Sequence, residues 1–169
     1  NAAEALVALL GPATAPWLLP SAVFLVSAAV AFATGTSFGT MAIVVPLAIP
    51  LAFAAAPDVH ALALATSAAV LSGATWGDHC SPVSDTTVLS STGAGCDLAA
   101  HVETQLPYAL SAGVISVLLG TLPAGLGASP WLLLPTGMAA CVAVVWMFGS
   151  PIDRDPEVTP KSSTTTKTT

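Results

Sequence analysis

Two carboxylates flank a proline in the string Gly77-Asp78-His79-Cys80-Ser81-Pro82-Val83-Ser84-Asp85-Thr86-Thr87. Ser81, Ser84, Thr86 and Thr87 add hydroxyls, so the string is dense in the oxygen donors that hard cations prefer. A carboxylate removed from water holds its proton more tightly, whereas a cation among oxygen ligands favours the ionised form. Proton and cation would therefore compete for one carboxylate, Asp85 foremost, with Asp78 assisting. A second polar string, Thr34-Gly35-Thr36-Ser37-Phe38-Gly39-Thr40, brings the hydroxyls of Thr34, Thr36, Ser37 and Thr40, which could face the same cavity.

The surroundings of these strings sharpen the chemistry. The chain has 169 residues, 54% of them hydrophobic and only 7% charged, with a net charge of -6 and a mean hydropathy of +0.84. Soluble domains carry about 25% charged residues, so an ordinary globular protein is excluded. No charge falls between Glu4 and Asp58, or between Glu103 and Asp153, and each interval exceeds the roughly 20 apolar residues of one spanning helix. The chain reads as an all-α polytopic membrane protein. The only bases, Arg154, Lys161 and Lys167, lie near its end. An Asp at the centre of a spanning helix costs about 3 kcal/mol, and no nearby base offsets it. The countercharge must be a proton, a bound cation, a half-helix N-terminus, or something in a missing N-terminal half. Nucleic acid is excluded as a partner, because it requires a basic footprint.

The elements that must position these groups follow from the apolar runs. Residues 1–16 read as the end of a preceding segment. The first apolar run, Trp17 to Ala33, stops at the polar string 34–40, and a second runs from Met41 to Ala56. Two readings compete for 17–57: a re-entrant hairpin with its tip at 34–40, or two spans joined by a tight turn. The hairpin is favoured, because an uncharged seven-residue tip makes a poor aqueous loop. Residues 58–96 read as one discontinuous helix broken at 77–87, where Pro82 lacks a donor and disfavours helix at Ser81. Cys96 to Gln105 should reach the interface. Leu106 to Leu126 and Trp131 to Phe148 read as two terminal transmembrane helices, and 150–169 as a disordered cytoplasmic tail. The bases in that tail orient the chain by the positive-inside rule, with 127–130 outside and 97–103 inside. The opening Asn-Ala-Ala-Glu, without Met, suggests the C-terminal part of a longer protein.

The string from Gly77 to Ser91 closely resembles the signature of the NhaC-type sodium/proton antiporters, and the string 34–40 matches that family's style. The resemblance covers about residue 30 to Tyr108. It implies the ion-transporter superfamily, whose two inverted repeats each carry a re-entrant hairpin and a discontinuous helix, so this chain would be the second repeat plus one terminal helix. It further implies exchange of Na+ for H+ across the cell membrane, with Na+ transported at Asp85 rather than held structurally, and no cofactor. That superfamily often carries Ser-Asn-Thr at its breaks. Ser84-Asp85-Thr86 has a carboxylate instead of the amide, which suits proton coupling. Relatives that exchange malate or lactate keep an organic-anion exchanger as the alternative.

Blander readings stand beside each residue. Asp85 could cap the second half-helix, Asp78 could anchor the break, and the hydroxyls could cap locally. His79 neighbours the carboxylates and could tune a pH response. A zinc enzyme built on Cys80, Cys96 and His101 lacks any HExxH or paired CxxC spacing. An intramembrane aspartyl protease would need Gly-x-Gly-Asp, but Thr75 stands at the first Gly. A structural membrane subunit would leave the embedded acids without purpose. Besides Na+, H+ and lipid, the expected partner is the missing first repeat, and a homo-oligomer is compatible with the sequence.

Overall fold

The structure is a computed structural model that describes residues 15–149. The expected tail and most of the expected leading segment lie outside these residues. All regular structure among them is helical, and four stretches are long and apolar enough to cross a membrane: Pro16–Thr34, Ser37–Ala55, Leu98–Gly125 and Pro130–Phe148. The chain is an all-α polytopic membrane protein.

A short 3-10 turn, Pro16–Leu18, leads into α1, Leu19–Thr34. The helix ends at Gly35, whose φ of 67° is the left-handed geometry of a helix C-cap. Thr36 is extended and caps α2, Ser37–Ala55, by accepting a hydrogen bond from Gly39 N–H at 3.3 Å. The turn is thus two residues rather than the whole polar string, because the hydroxyls beyond it serve a helix start. Pro46 and Pro50 lie inside α2 without ending it.

The third helix, α3, spans His60–Cys80, and α4 spans Asp85–Ala94. Between them Ser81 and Ser84 both have extended backbone, so the chain leaves the helical path for four residues. The interruption is narrower than 77–87, because Gly77 serves packing instead of unwinding. α5, Leu98–Ile115, starts from Asp97, whose Oδ1 accepts hydrogen bonds from Ala99 and Ala100 N–H at 3.0 and 3.1 Å. It continues as a π-helical segment, Ser116–Thr121, and a last turn, Leu122–Gly125. Pro123 supplies no donor and its ring crowds the preceding turn, which accounts for the widened winding before it. α6, Pro130–Phe148, completes the described chain and has no buried residue.

The core forms where α1 and α3 run parallel. A side-chain carbon on Gly73 would overlap the backbone of Phe24, and one on Gly77 that of Ala28. Gly73 and Gly77 form the small-xxx-small spacing that lets helix backbones touch in lipid. α2 runs antiparallel across one side of this seam, where Leu19 and Val23 of α1 meet Ala48 and Ala52 of α2 and Ala63 and Val70 of α3. α5 covers the other side, antiparallel to α1. The Trp76 indole N–H donates to Ala109 O at 2.6 Å and its ring stacks on Phe24 with centroids 5.8 Å apart. At one end of this pair Ser21 Oγ and Thr121 Oγ1 share a hydrogen bond of 2.9 Å, and at the other Gln105 Nε2 donates to His79 O at 2.9 Å.

Candidate functional site

Four helix ends meet at one place: the C-termini of α1 and α3 and the N-termini of α2 and α4. Gly35 at the turn lies directly on the unwound stretch, so that an added side-chain carbon would sit 2.8 Å from Val83 O and 3.2 Å from Ser84 Cα. Ser81 ties the two strings together, its hydroxyl donating to Phe32 O at 2.7 Å. The two polar strings of the sequence are therefore neighbours in space, with Gly35 and Val83, 48 positions apart in the chain, in backbone contact.

Around this junction Ser81 and Ser84 are fully buried, while Thr87 and Thr40 retain 4% and 1% exposure. Ser84 Oγ and Thr86 Oγ1 share a hydrogen bond of 2.8 Å. Thr34 donates to Val30 O at 2.8 Å and Thr40 to Thr36 O at 2.9 Å. A hydroxyl that directs its proton back into its own helix keeps its lone pairs outward, which is the arrangement a cation ligand needs. Ser37 is half-buried at the first position of α2, and Thr36 is exposed. The local-cap reading thus holds for Thr36, and Asp85 occupies the first turn of α4, where a carboxylate complements the helix dipole.

The two aspartates separate sharply. Asp85 is exposed. Asp78 is 7% exposed, and its Oδ1 is buried with no hydrogen-bond partner. Among the described residues there is no Lys or Arg to neutralise it. His79 is exposed beside a cleft of about 500 Å³ lined also by Met41, Ser72 and Thr75, so its ring faces away from α1 rather than into the seam.

Sequence reasoning passed over Ser27 on α1, which is fully buried with an unpartnered hydroxyl, and Thr66 on α3, in the same state. A lone hydroxyl in an apolar run gives no signal by itself. The available signal was the Gly73-to-Gly77 spacing, which predicts a close helix contact and hence buried polar neighbours.

A family model described as the Na+/H+ antiporter family matches residues 4–122. An uncharacterised protein of Haemophilus influenzae is 57% identical over 91 residues, covering 54% of this chain and 17% of that protein. The malate-2H(+)/Na(+)-lactate antiporter of Bacillus subtilis is 36% identical over 114 residues, 63% of this chain and 22% of that protein. An uncharacterised Na(+)/H(+) antiporter of Haemophilus influenzae is 38% identical over 109 residues, 62% of this chain and 22% of its own length. The chain thus spans about a fifth of the length of these curated relatives. No solved structure matches it. The matched region takes in the paired breaks, the α1–α3 seam and the aspartates on either side of Pro82, and by that match the chain belongs to the Na+/H+ antiporter family.

Proposed function

We propose that this chain forms half of the ion site of a secondary transporter that exchanges Na+ for H+ across the plasma membrane. The observation that carries the reading is the backbone contact between Gly35 and the Val83–Ser84 stretch. Broken helices that face each other within a membrane supply carbonyls and hydroxyls to ions, and this recurs in secondary transporters. In this reading 17–57 is a re-entrant hairpin with its tip at the junction, and 58–96 is the discontinuous helix. Together with α5 and α6 they make a second inverted repeat whose first repeat lies elsewhere in the parent chain.

Na+ binds as cargo at Asp85, with Ser81, Ser84, Thr86 and Thr87 from the break and Thr34, Thr36, Ser37 and Thr40 from the tip as candidate oxygen ligands, and with Asp78 assisting. The exposure of Asp85 in this chain fits a ligand completed by the other repeat. Proton and Na+ compete for it, so only one crosses per turn of the site. His79 contributes at most to the pH response. The C-terminus lies in the cytoplasm. The activity is transport rather than enzymatic turnover.

The test uses everted vesicles containing the full-length protein, in which added Na+ should collapse a preformed pH gradient. Asp85→Asn should insert normally and abolish that collapse, and near-normal exchange in this variant would remove Asp85 from the mechanism. A second reading, exchange of a small organic anion such as malate or lactate, draws support from two features. The N-termini of α2 and α4 both open at the junction, and helix N-termini hold carboxylates without a base. The Bacillus subtilis relative also bears the name of a malate/lactate antiporter. Competition by malate or lactate in the vesicle assay discriminates between the readings.

A further inference from the structure

α5 and its continuation form one rod from Leu98 to Gly125, wound as a π-helix over Ser116–Thr121. The two parts of the rod are tied to different helices. In the first part Trp76 donates to Ala109 O and Gln105 to His79 O, and a side-chain carbon on Gly113 would overlap the Trp76 ring. That part is fastened to α3. From Thr121 onward the ties run to the start of α1: Thr121 Oγ1 shares a hydrogen bond of 2.9 Å with Ser21 Oγ, and a side-chain carbon on Gly125 would overlap the backbone of Trp17.

The winding between them decides whether both sets of ties can be made. Gly125 follows Gly113 by 12 positions, and in a plain α-helix the two would point roughly 120° apart. The π-helical segment takes up one residue and reduces this angle to about 20°, so both glycines face the α1–α3 pair. Tightening the segment would turn Thr121 and Gly125 by about 100° away from Ser21 and Trp17.

The segment is free to tighten. None of its residues is buried, and a side-chain carbon on Gly120 would meet nothing within 4 Å. A cavity of about 310 Å³ beside it, lined by Leu25, Trp76, Val117 and Leu118 among others, leaves room for the change. Pro123 brings the two windings closer in free energy. In a plain α-helix Leu119 O would accept from the N–H of residue 123, which proline lacks, whereas the wider winding offers it the N–H of residue 124.

Resting on the transport reading, we propose that Ser116–Thr121 is a catch on the start of α1. Wound wide, it clamps Ser21 and Trp17 against the rod. Wound tight, it turns Thr121 and Gly125 aside and frees the start of α1 to move, while the part of the rod fastened to α3 stays in place. Only hydrogen bonds change. The catch thereby couples the outer end of the α1–α2 pair to the transport cycle at the junction.

The test locks the catch in the full-length protein in lipid vesicles. Ser21→Cys combined with Thr121→Cys should form a disulfide on oxidation, since the hydroxyls they replace touch. Exchange of Na+ for H+ should stop when the bond forms and return on reduction, with each single variant unaffected by the oxidant. Failure of the bond to form, or undiminished exchange with the bond in place, overturns the proposal. Deletion of Gly120 gives an independent lock, because 11 positions of plain α-helix leave both glycines on one face without a surplus residue to move. It should insert normally yet lower exchange by about tenfold or more, as conformational steps limit many turnover rates. Gly120→Ala, which keeps the surplus residue, should exchange normally. A deletion variant that inserts and exchanges at the normal rate makes the wide winding a fixed register correction and overturns the catch, and one that fails to insert leaves the decision to the disulfide. If unsubstituted vesicles do not exchange Na+ for H+, the transport reading falls, and the rate of disulfide formation with and without Na+ still decides whether the catch opens.

Discussion

At the scale of single residues, Gly35 and Ser81 hold the two breaks together by different means. Gly35 is needed twice, for its left-handed φ of 67° and for the closeness of Val83 O. Gly35→Ala should cost at least the 1–2 kcal/mol of an L-residue in that geometry, plus displacement of the break, and a thermal melt in detergent together with the vesicle assay should show both lowered stability and lost exchange. Ser81→Ala removes the hydrogen bond to Phe32 O and the longer one accepted from Val83 N–H at 3.4 Å but leaves the backbone conformation accessible, so its cost should be about 1–2 kcal/mol, visible as a smaller shift in the same melt. Equal effects from both substitutions would mean that contact at the junction matters less than local conformation. The hydroxyl-rich strings announced the junction in the sequence. Their contact did not, since nothing in residues 34–40 encodes a distance to residues 81–84.

At the scale of elements, the interruption between α3 and α4 and the seam between α1 and α3 use two similar-looking signals oppositely. Pro82 removes a donor and keeps Ser81 out of the helical region, and the helix stops there as the sequence implies. Gly77 looked like the start of the same break, yet it is helical, because its missing side chain admits Ala28 of α1. Pro82→Ala should favour a continuous helix and weaken Na+ dependence of exchange, and unchanged apparent affinity for Na+ would reject coordination by an unwound segment. Gly73→Val or Gly77→Val should force α1 off α3 and destabilise the fold by several kcal/mol, in line with overpacking of a tight core, read as loss of folded protein in a detergent-stability assay. Packing, not propensity, decides which glycine breaks a helix.

At the scale of the whole molecule, the outward surface is that of a chain surrounded by lipid or by more protein. Trp131, Trp146 and Phe148 on α6 are at least 76% exposed, and among the described residues α6 packs chiefly on α5 and its continuation through residue 125. The antiparallel pairing of α5 with α1 brings Trp17 and Gly125 to one end and sends the α4–α5 connection to the other. If the C-terminus lies in the cytoplasm, as proposed, a cysteine placed at Ala128 should react with an impermeant thiol reagent from outside, and Cys96, exposed in the structure, from the cytoplasmic side. Labelling of both from the same side would overturn the topology.

The sequence alone determined the class, the helices and the chemistry on offer, because burial in a bilayer is read from composition: the absence of bases before Arg154, the uncharged runs and the oxygen-rich strings leave little else for such a chain to be. It also located the interruption to within a few residues, since Pro82 acts through its own covalent structure. Only the tertiary structure decided that the strings touch and that Asp78 is buried while Asp85 is exposed. Those outcomes depend on which faces of α1, α2 and α3 are pressed together, and that is set by the parallel register at Gly73 and Gly77. Such a register is a property of two surfaces meeting, and no local stretch of chain contains it.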